Sequence, residues 1–290
     1  MKVGCRLIAV DLDGTLLDPA GSVSPAVAAA VSRAAQAGVT VAVATGRRHR
    51  SALAVARRVG ACVYLIIQHG ALIKRSDDDS TVWSALIDGR LGVQAADFMA
   101  AEGLEPLLFV DACERDLDFY LYGKDAPHGA GTREFLAASQ GFVRALPRGT
   151  PPEEPVTEVL SLGERDELAD VRDKFTARFG DALTTYLLKS PRYEHFFLEA
   201  MSPRAGKGRA LLELAGMLGV SRCETAAIGD DLNDLDMFAA AGVAVAMGNA
   251  TERVKRAADF VVGTNACDGA AEAIDAVVAG GFGGPRGWTA

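Results

Sequence analysis

Apolar residues recur along this 290-residue chain in two different rhythms. "RLIAVDLD", "VTVAVATG" and "CVYLIIQHG" are short, continuous apolar runs within residues 6–70. Runs of that length and uniformity suit strands buried on both faces of a parallel sheet. Between the first two lies the alanine-rich "SPAVAAAVSRAAQAG", with Pro25 near its start and Gly38 at its end, which predicts a helix with ordinary start and stop signals. Strand, helix, strand in this order implies a right-handed crossover in an open α/β sheet. The rhythm returns near the end of the chain in "ETAAIGDD", "GVAVAMGN" and "ADFVVG", accompanied by the helical stretches "GRALLELAGMLG" and "LNDLDMFAAA".

The middle of the chain reads differently. A helix, "GVQAADFMAAEG", precedes the alternating strands "LLFVDA" and "DLDFYLYG"; "PVTEVLSLG", the charged helix "ERDELADVRDKFTARFG" and "ALTTYLLKS" follow. Alternation predicts a sheet covered on one face, hence an α+β unit. The domain plan is therefore a parallel-sheet core formed by residues 1–83 and 188–290, with an α+β domain inserted over residues 84–187. "RGTPPEEP" reads as a loop within the insert, and the glycine-rich end, about residues 280–290, as a flexible tail.

Composition narrows the class. With 49% hydrophobic and 23% charged residues the chain can bury a sizeable core. A formal charge of −8 argues against a nucleic-acid binder, which would carry a basic surface. Five scattered cysteines without metal or redox spacing predict buried free thiols in a reducing compartment. Arg6 and Asp11 interrupt the first apolar run too early for a signal peptide, and no run approaches the roughly 20 apolar residues that span a bilayer. The expectation is a soluble cytoplasmic protein with no membrane partner.

Candidate chemistry begins where the first strand ends. Asp11 and Asp13, two apart, leave that strand on one side at its C-terminal edge, where open α/β sheets bind ligands. Asp-Gly is also a turn signal, so a plain turn and a reaction centre both fit these residues alone. A later strand also ends in acids: "IGDDLNDLDMF" places Asp230, Asp231, Asn233, Asp234 and Asp236 in quick succession. A helix dipole accounts for one or two acids in a first turn. Two strands that end in acids at one sheet edge would repel each other unless a cation lay among them. An all-oxygen ligand set without nearby His or Cys favours magnesium over zinc. Thr45, in "ATGRR" after the second strand, is either an N-cap or an anion contact. Lys207 opens a helix with the apolar stripe Leu211, Leu214, Ala215 and Leu218. It is either a solvated surface lysine or an anion-binding one, since a cation at a helix start opposes the dipole.

Taken in order, "DLDGTLLD", Thr45 in "ATGR", Lys207 in "GKG" and "GDDLNDLDM" resemble the four motifs of the haloacid dehalogenase superfamily. More narrowly the chain is similar to the Cof-type, cap class IIB phosphatases, whose α/β cap is inserted between the second and third motifs. The resemblance implies a Rossmann-like parallel-sheet core with an inserted α+β cap, and covers most of the chain. It implies that Asp11 is the nucleophile that becomes an aspartyl-phosphate and that Asp13 is the general acid and base. The Asp11 carboxylate, the Asp13 main-chain carbonyl and Asp230 would hold Mg2+, supported by Asp234 and Asp231. Thr45, the Gly46 amide, Lys207 and Asn233 would bind the phosphoryl group. True dehalogenases lack the second aspartate as acid–base, so Asp13 argues for phosphate chemistry. One departure stands out: many Cof-type sequences have Asn-Gly-Ala after the third strand, where this chain has His69-Gly70-Ala71. His69 is either a turn residue or a substrate contact.

The expected function is a Mg-dependent phosphatase acting on small phosphorylated metabolites such as sugar phosphates, the implied cap excluding water and contacting the leaving group. A phosphotransferase or mutase using the same intermediate, and a non-catalytic phosphometabolite-binding regulator, are the alternatives; an intact Asp11/Asp13 pair disfavours the last. In the insert and just beyond it, Glu158, Lys189, Arg192 and His195 are candidates to face a substrate, and sequence alone does not orient them.

Overall fold

In a computed structural model, which describes residues 4–60, 64–123, 129–139, 142–189 and 193–280, the first apolar run forms β1 (Leu7–Asp11), every residue of it buried. An irregular turn, Leu12–Leu16, leads away from it. Helix α1 (Pro25–Gln36) follows, its first turn capped by the Ser24 hydroxyl, which accepts from the Val27 amide. Next come β2 (Thr40–Ala44), α2 (His49–Val59), β3 (Tyr64–Ile67) and the short strands β4 (Leu72–Arg75) and β5 (Thr81–Ser84). The middle of the chain supplies α3 (Gly89–Ala101), β6 (Leu107–Ala112), β7 (Leu117–Tyr122), α4 (Ala130–Ala137), β8 (Val143–Leu146) and β9 (Val156–Gly163). It continues through α5 (Arg165–Phe179), β10 (Thr184–Lys189) and β11 (Phe196–Met201). The last part adds α6 (Lys207–Met217), β12 (Thr225–Gly229), α7 (Leu235–Ala240), β13 (Val243–Ala246), α8 (Glu252–Ala257), β14 (Phe260–Val261) and α9 (Gly269–Ala279).

The chain forms two units, one of residues 1–84 and 205–290, the other of 85–204. The first is built on a sheet of order β14-β13-β12-β1-β2-β3-β4-β5 among the described residues. Its strands run parallel from β14 to β3, and β4 and β5 turn back antiparallel. Core side chains fill both faces: α1 and α9 close over Ile8, Val10, Val41 and Ile228, while α6 and α7 close over Leu7, Ala9, Ala42 and Ala227. Burial on both faces is why these strands read as unbroken apolar runs.

The second unit carries the sheet β10-β11-β9-β6-β7-β8, antiparallel apart from the β7–β8 pair. Helices α3 and α5 cover one face through Met99, Leu168, Val171 and Phe175. Phe135 of α4 packs with Phe109, Phe119, Leu160, Leu162 and Phe197 on the other.

Three expectations need correction. The insert does not end at residue 187: β11 pairs with β10 and β9 along its whole length, so the chain returns to the core only at Ala205. The described cysteines form no disulfide with one another, as expected, but none is fully buried: Cys5 and Cys113 are half-buried, and Cys223 and Cys267 are exposed. The acidic stretch after β12 does not enter a helix at once, because Leu232–Asp234 form a tight 3-10 turn before α7 begins. Cys62 and the tail at residues 281–290 lie outside the described residues. Among those described, no helix is long and apolar enough to cross a membrane.

Candidate active site

The edge at which β1, β2 and β12 end collects the polar residues. Asp11 is the last residue of β1 and only 6% exposed. Its register partner on β2 is Ala44, so Thr45 leaves the sheet beside it. On the other side Val10 pairs with Ile228, which brings Gly229 and Asp230 to the same edge. The turn after β1 depends on Gly14, whose φ of +86° is left-handed. A Cβ at that position would collide with the Asp230 carboxylate, so only glycine lets the two loops approach. The next residue, Thr15, donates its hydroxyl to Asp230 Oδ1 at 2.8 Å.

Lys207, at the start of α6, is 2% exposed and is not a solvated surface lysine. Its ammonium donates to Asp11 Oδ1 at 2.6 Å and to Asp234 Oδ1 at 2.7 Å, and lies 3.5 Å from Asn233 Oδ1. Burial alone would lower the lysine's pKa; the charges of Asp11 and Asp234 outweigh it and hold Lys207 protonated. Asp234, fully buried, accepts with its other oxygen from the amides of Asp230 and Asp231 at 3.0 and 3.1 Å. Both of its oxygens are thus occupied by protein donors, which makes it a brace for the loop that carries Asp230. Asp236 acts structurally, its carboxylate accepting from the Gly208 amide at 2.9 Å in the first turn of the helix that carries Lys207.

Among the described residues, Lys207 pairs with two of three clustered carboxylates. Ligand oxygens of Asp11, Asp230 and Asp234 lie within 4.8 Å of one another. Burial drives Asp11 well above the usual carboxylate range, Lys207 opposes the rise, and Asp234 and Asp230 add to it. Burial likewise pushes Asp230 up to about 6, against the hydrogen bond from Thr15 and with help from Asp234 and Asp231. With these groups ionised, the cluster carries more negative charge than Lys207 neutralises. The remaining donors are hard oxygens, which match Mg2+ in kind. Asp11 Oδ1 is taken by Lys207 and Asp230 Oδ1 by Thr15; among the described residues, the second oxygen of each meets no protein cation.

Asp13 is held differently. Arg47 forks onto its carboxylate, Nε donating to Oδ2 at 2.7 Å and Nη2 to Oδ1. Arg47 lies two residues past Thr45, whose hydroxyl accepts from the Arg47 amide at 3.1 Å. Thr45 is therefore not the N-cap of α2, a place taken by Arg48. Gly46, between Thr45 and Arg47, is overlain by the His69 imidazole so closely that a Cβ at 46 would clash with the ring. His69 and its neighbour Gln68 both have left-handed backbone, with φ of 52° and 48°. Such conformations are costly for non-glycine residues and concentrate at functional sites.

Asp231 stands apart from the cluster. It is exposed, and its carboxylate caps the Leu232–Asp234 turn, accepting from the Leu232 amide at 2.7 Å. Three residues that touch the site were not anticipated as contacts from sequence, Thr15, Arg47 and Asn249. Arg47 follows Gly46 directly inside "ATGRR". Asn249 lies just beyond β13, a fourth strand ending at the same edge, and its side-chain amide donates to the Gly14 carbonyl at 2.8 Å. A polar residue three positions past the end of an apolar strand was the available signal for Arg47 and Asn249.

In the second unit, His195 Nδ1 pairs with Glu134 at 2.9 Å, and Lys189 donates to the main-chain carbonyls of Tyr193 and Glu194. Glu158 is buried on β9. Arg192 lies outside the described residues.

Known proteins share both the sequence and the fold. The family profile described as haloacid dehalogenase-like hydrolase matches residues 8–274. The chain is 30% identical over 280 residues to the phosphatase YwpJ of Bacillus subtilis, covering 90% of this chain and 95% of that protein. It is 28% identical to the pyridoxal phosphate phosphatase YbhA of Escherichia coli, covering 93% and 97%. A crystal structure of a haloacid dehalogenase-like hydrolase from Bacteroides thetaiotaomicron superposes with a TM-score of 0.79 at 25% identity, over 94% of this chain and 99% of that one.

Proposed function

Because the chain belongs to the haloacid dehalogenase-like hydrolases, we propose that it hydrolyses small phosphomonoesters, sugar phosphates or similar metabolites, through a phosphorylated Asp11. The observation that carries this reading is the buried Lys207 ammonium bridging Asp11 and Asp234 at 2.6 and 2.7 Å, with Asp230 in the same cluster. A buried carboxylate held at one oxygen by a fixed cation keeps its other oxygen aimed, and the cation opposes the rise that burial causes, which suits attack on phosphorus. The small phosphorylated compound in the name of the E. coli relative supports the substrate class.

In the first half-reaction an Asp11 oxygen forms a bond to phosphorus while the bond to the leaving oxygen breaks. Asp13 gives that oxygen its proton. In the second, water attacks the aspartyl-phosphate, Asp13 takes the water's proton, and the Asp11 carboxylate and inorganic phosphate are released. Both oxygens of Asp13 accept from Arg47 in the resting geometry, so one of these contacts must open before Asp13 carries the proton that it gives to the leaving oxygen. Lys207, the Thr45 hydroxyl, the Gly46 amide and the Asn233 side chain would bind the phosphoryl oxygens, and phosphoryl transfer needs chiefly such positioning and charge neutralisation. The Asp11 carboxylate, the Asp13 main-chain carbonyl and Asp230 would hold Mg2+, with Asp234 bracing the loop. When bound, the ion offsets the negative charge of the cluster and of the phosphoryl group.

The test is release of phosphate from an aryl phosphate and from a panel of metabolite phosphates, with and without Mg2+. Hydrolysis is expected to require Mg2+ and to vanish in Asp11→Asn. A variant that keeps wild-type turnover without the Asp11 carboxylate would refute the covalent route. Phosphate delivered to an added acceptor, rather than to water, would make the protein a phosphotransferase.

A further inference from the structure

Three carboxylates share this site, yet they are not held alike. Asp11 and Asp234 both meet the Lys207 ammonium. Asp230, among the described residues, meets only neutral donors: the Thr15 hydroxyl at 2.8 Å and the Asn249 amide at 3.4 Å. A neutral donor fixes a carboxylate's direction and leaves its charge uncancelled, which is what a cation ligand requires.

The Asn249 amide group does more than reach Asp230. Its second donation, at 2.8 Å, goes to the Gly14 carbonyl, in the turn that carries Asp13. Its own oxygen accepts from the Asn265 amide at 2.9 Å, and the Asn265 side chain donates to the Leu17 carbonyl at 2.8 Å. Two asparagines from the loops after β13 and β14 therefore grip the β1 turn at Gly14 and at Leu17. The base of the Asn249 loop is fixed as well, since the Met247 amide donates to the Gly229 carbonyl at 3.0 Å and the Gly248 amide to Gly263 at 3.0 Å.

We infer that Asn249 is a positioning residue for the metal site: together with the Thr15 hydroxyl on the other oxygen of Asp230, its neutral side chain sets the distance between the turn bearing the Asp13 carbonyl and the Asp230 carboxylate. The inference rests on the Mg2+ reading above and assigns the ion's affinity partly to a residue outside its ligand set. Alanine at 249 would remove one of the two side-chain ties between this turn and Asp230, leaving the Thr15 hydroxyl and every proposed ligand in place. Lysine or arginine there would cancel the charge that the ion needs, and aspartate would have no proton to donate to Gly14.

The experiment is calorimetric titration of Mg2+ into the full-length protein, stripped with chelator, for wild type and Asn249→Ala. The expected result is a Mg2+ dissociation constant raised about 10- to 100-fold. The kcat on an aryl phosphate should return toward the wild-type value as Mg2+ is increased, with KM for the ester unchanged at saturating metal. A merely structural residue would not show that rescue. Asn249→Ser, which keeps a hydroxyl on a shorter side chain, serves if the alanine variant does not fold by circular dichroism, and at least threefold weakening is expected of it. A dissociation constant within threefold of wild type, or a kcat that no Mg2+ concentration restores, would overturn the inference. Wild-type protein that takes up no Mg2+ would overturn the metal assignment itself, and this inference with it.

Discussion

Replacing Lys207 by methionine removes the one ammonium that joins Asp11 to Asp234 and keeps most of the side-chain volume. At 2.6 and 2.7 Å, and an effective dielectric of about 20, each contact corresponds to about 6 kcal/mol of attraction. Much of that is offset by the cost of stripping water from three charges, so the net effect is smaller. Breaking a buried pair by removing one partner typically costs about 3–5 kcal/mol, because the remaining charge stays buried and uncompensated. For a unit of this size that corresponds to a melting temperature lower by roughly 10 °C. Scanning calorimetry of the metal-free protein at neutral pH is the assay. The deficit should shrink as pH falls, because protonating Asp11, which burial already raises above the usual carboxylate range, removes part of the repulsion that Lys207 had offset. Added Mg2+ should restore part of the stability and none of the contacts that Lys207 makes to phosphate, so activity should remain at least about 100-fold down. A variant that melts within 2 °C of wild type, with no difference in its response to acid, would refute the reading of Lys207 as the buried counter-charge.

Gly14→Ala is expected to weaken Mg2+ binding and to destabilise the fold by about 1–3 kcal/mol, from a left-handed backbone and a methyl group driven into Asp230; unchanged metal affinity by calorimetry would count against the close approach of those loops. Burial raises Asp230 to about 6, so a metal ion must displace its proton below that pH. The apparent Mg2+ affinity should therefore fall up to tenfold per unit as pH drops below about 6 and level off above it. In the metal-free protein the sign is opposite: the folded state holds this proton more tightly than the unfolded chain, so the Asp230 contribution to stability improves as pH falls through about 6. A Mg2+ dissociation constant that stays flat from pH 5 to 7 would contradict the raised value.

The strands of the core were legible because each is buried on both faces, and that leaves an unbroken apolar run ending abruptly in polar residues. The strand β11 was not. "RYEHFFLEA" alternates only loosely, since Phe197 lies against α4 and Leu198 and Ala200 against α3 and α5, so both faces of that strand take apolar residues. Its membership of the second sheet is decided by pairing with β9 and β10, a long-range choice that local pattern does not encode. The acids of "GDDLNDLDM" were visible as a group, but their separate roles were not. Asp231 caps a turn, Asp236 holds the start of α6, Asp234 braces a loop and Asp230 faces the cluster.

By itself the sequence determined the local framework: where each buried strand runs, and that Asp11, Thr45 and Asp230 leave parallel strands at one edge. Order along the chain and strand direction dictate that much. Tertiary structure decided which charges meet. Lys207 stands 196 residues from Asp11; its local sequence left a surface lysine and an anion-binding one both open, and helix packing buries it between two carboxylates. Arg47 and Asn249 have no periodicity to mark them, and they join the site because loops from separate strands converge there. A side chain's partners, and with them its charge and its role, depend on neighbours that only the folded chain brings within reach.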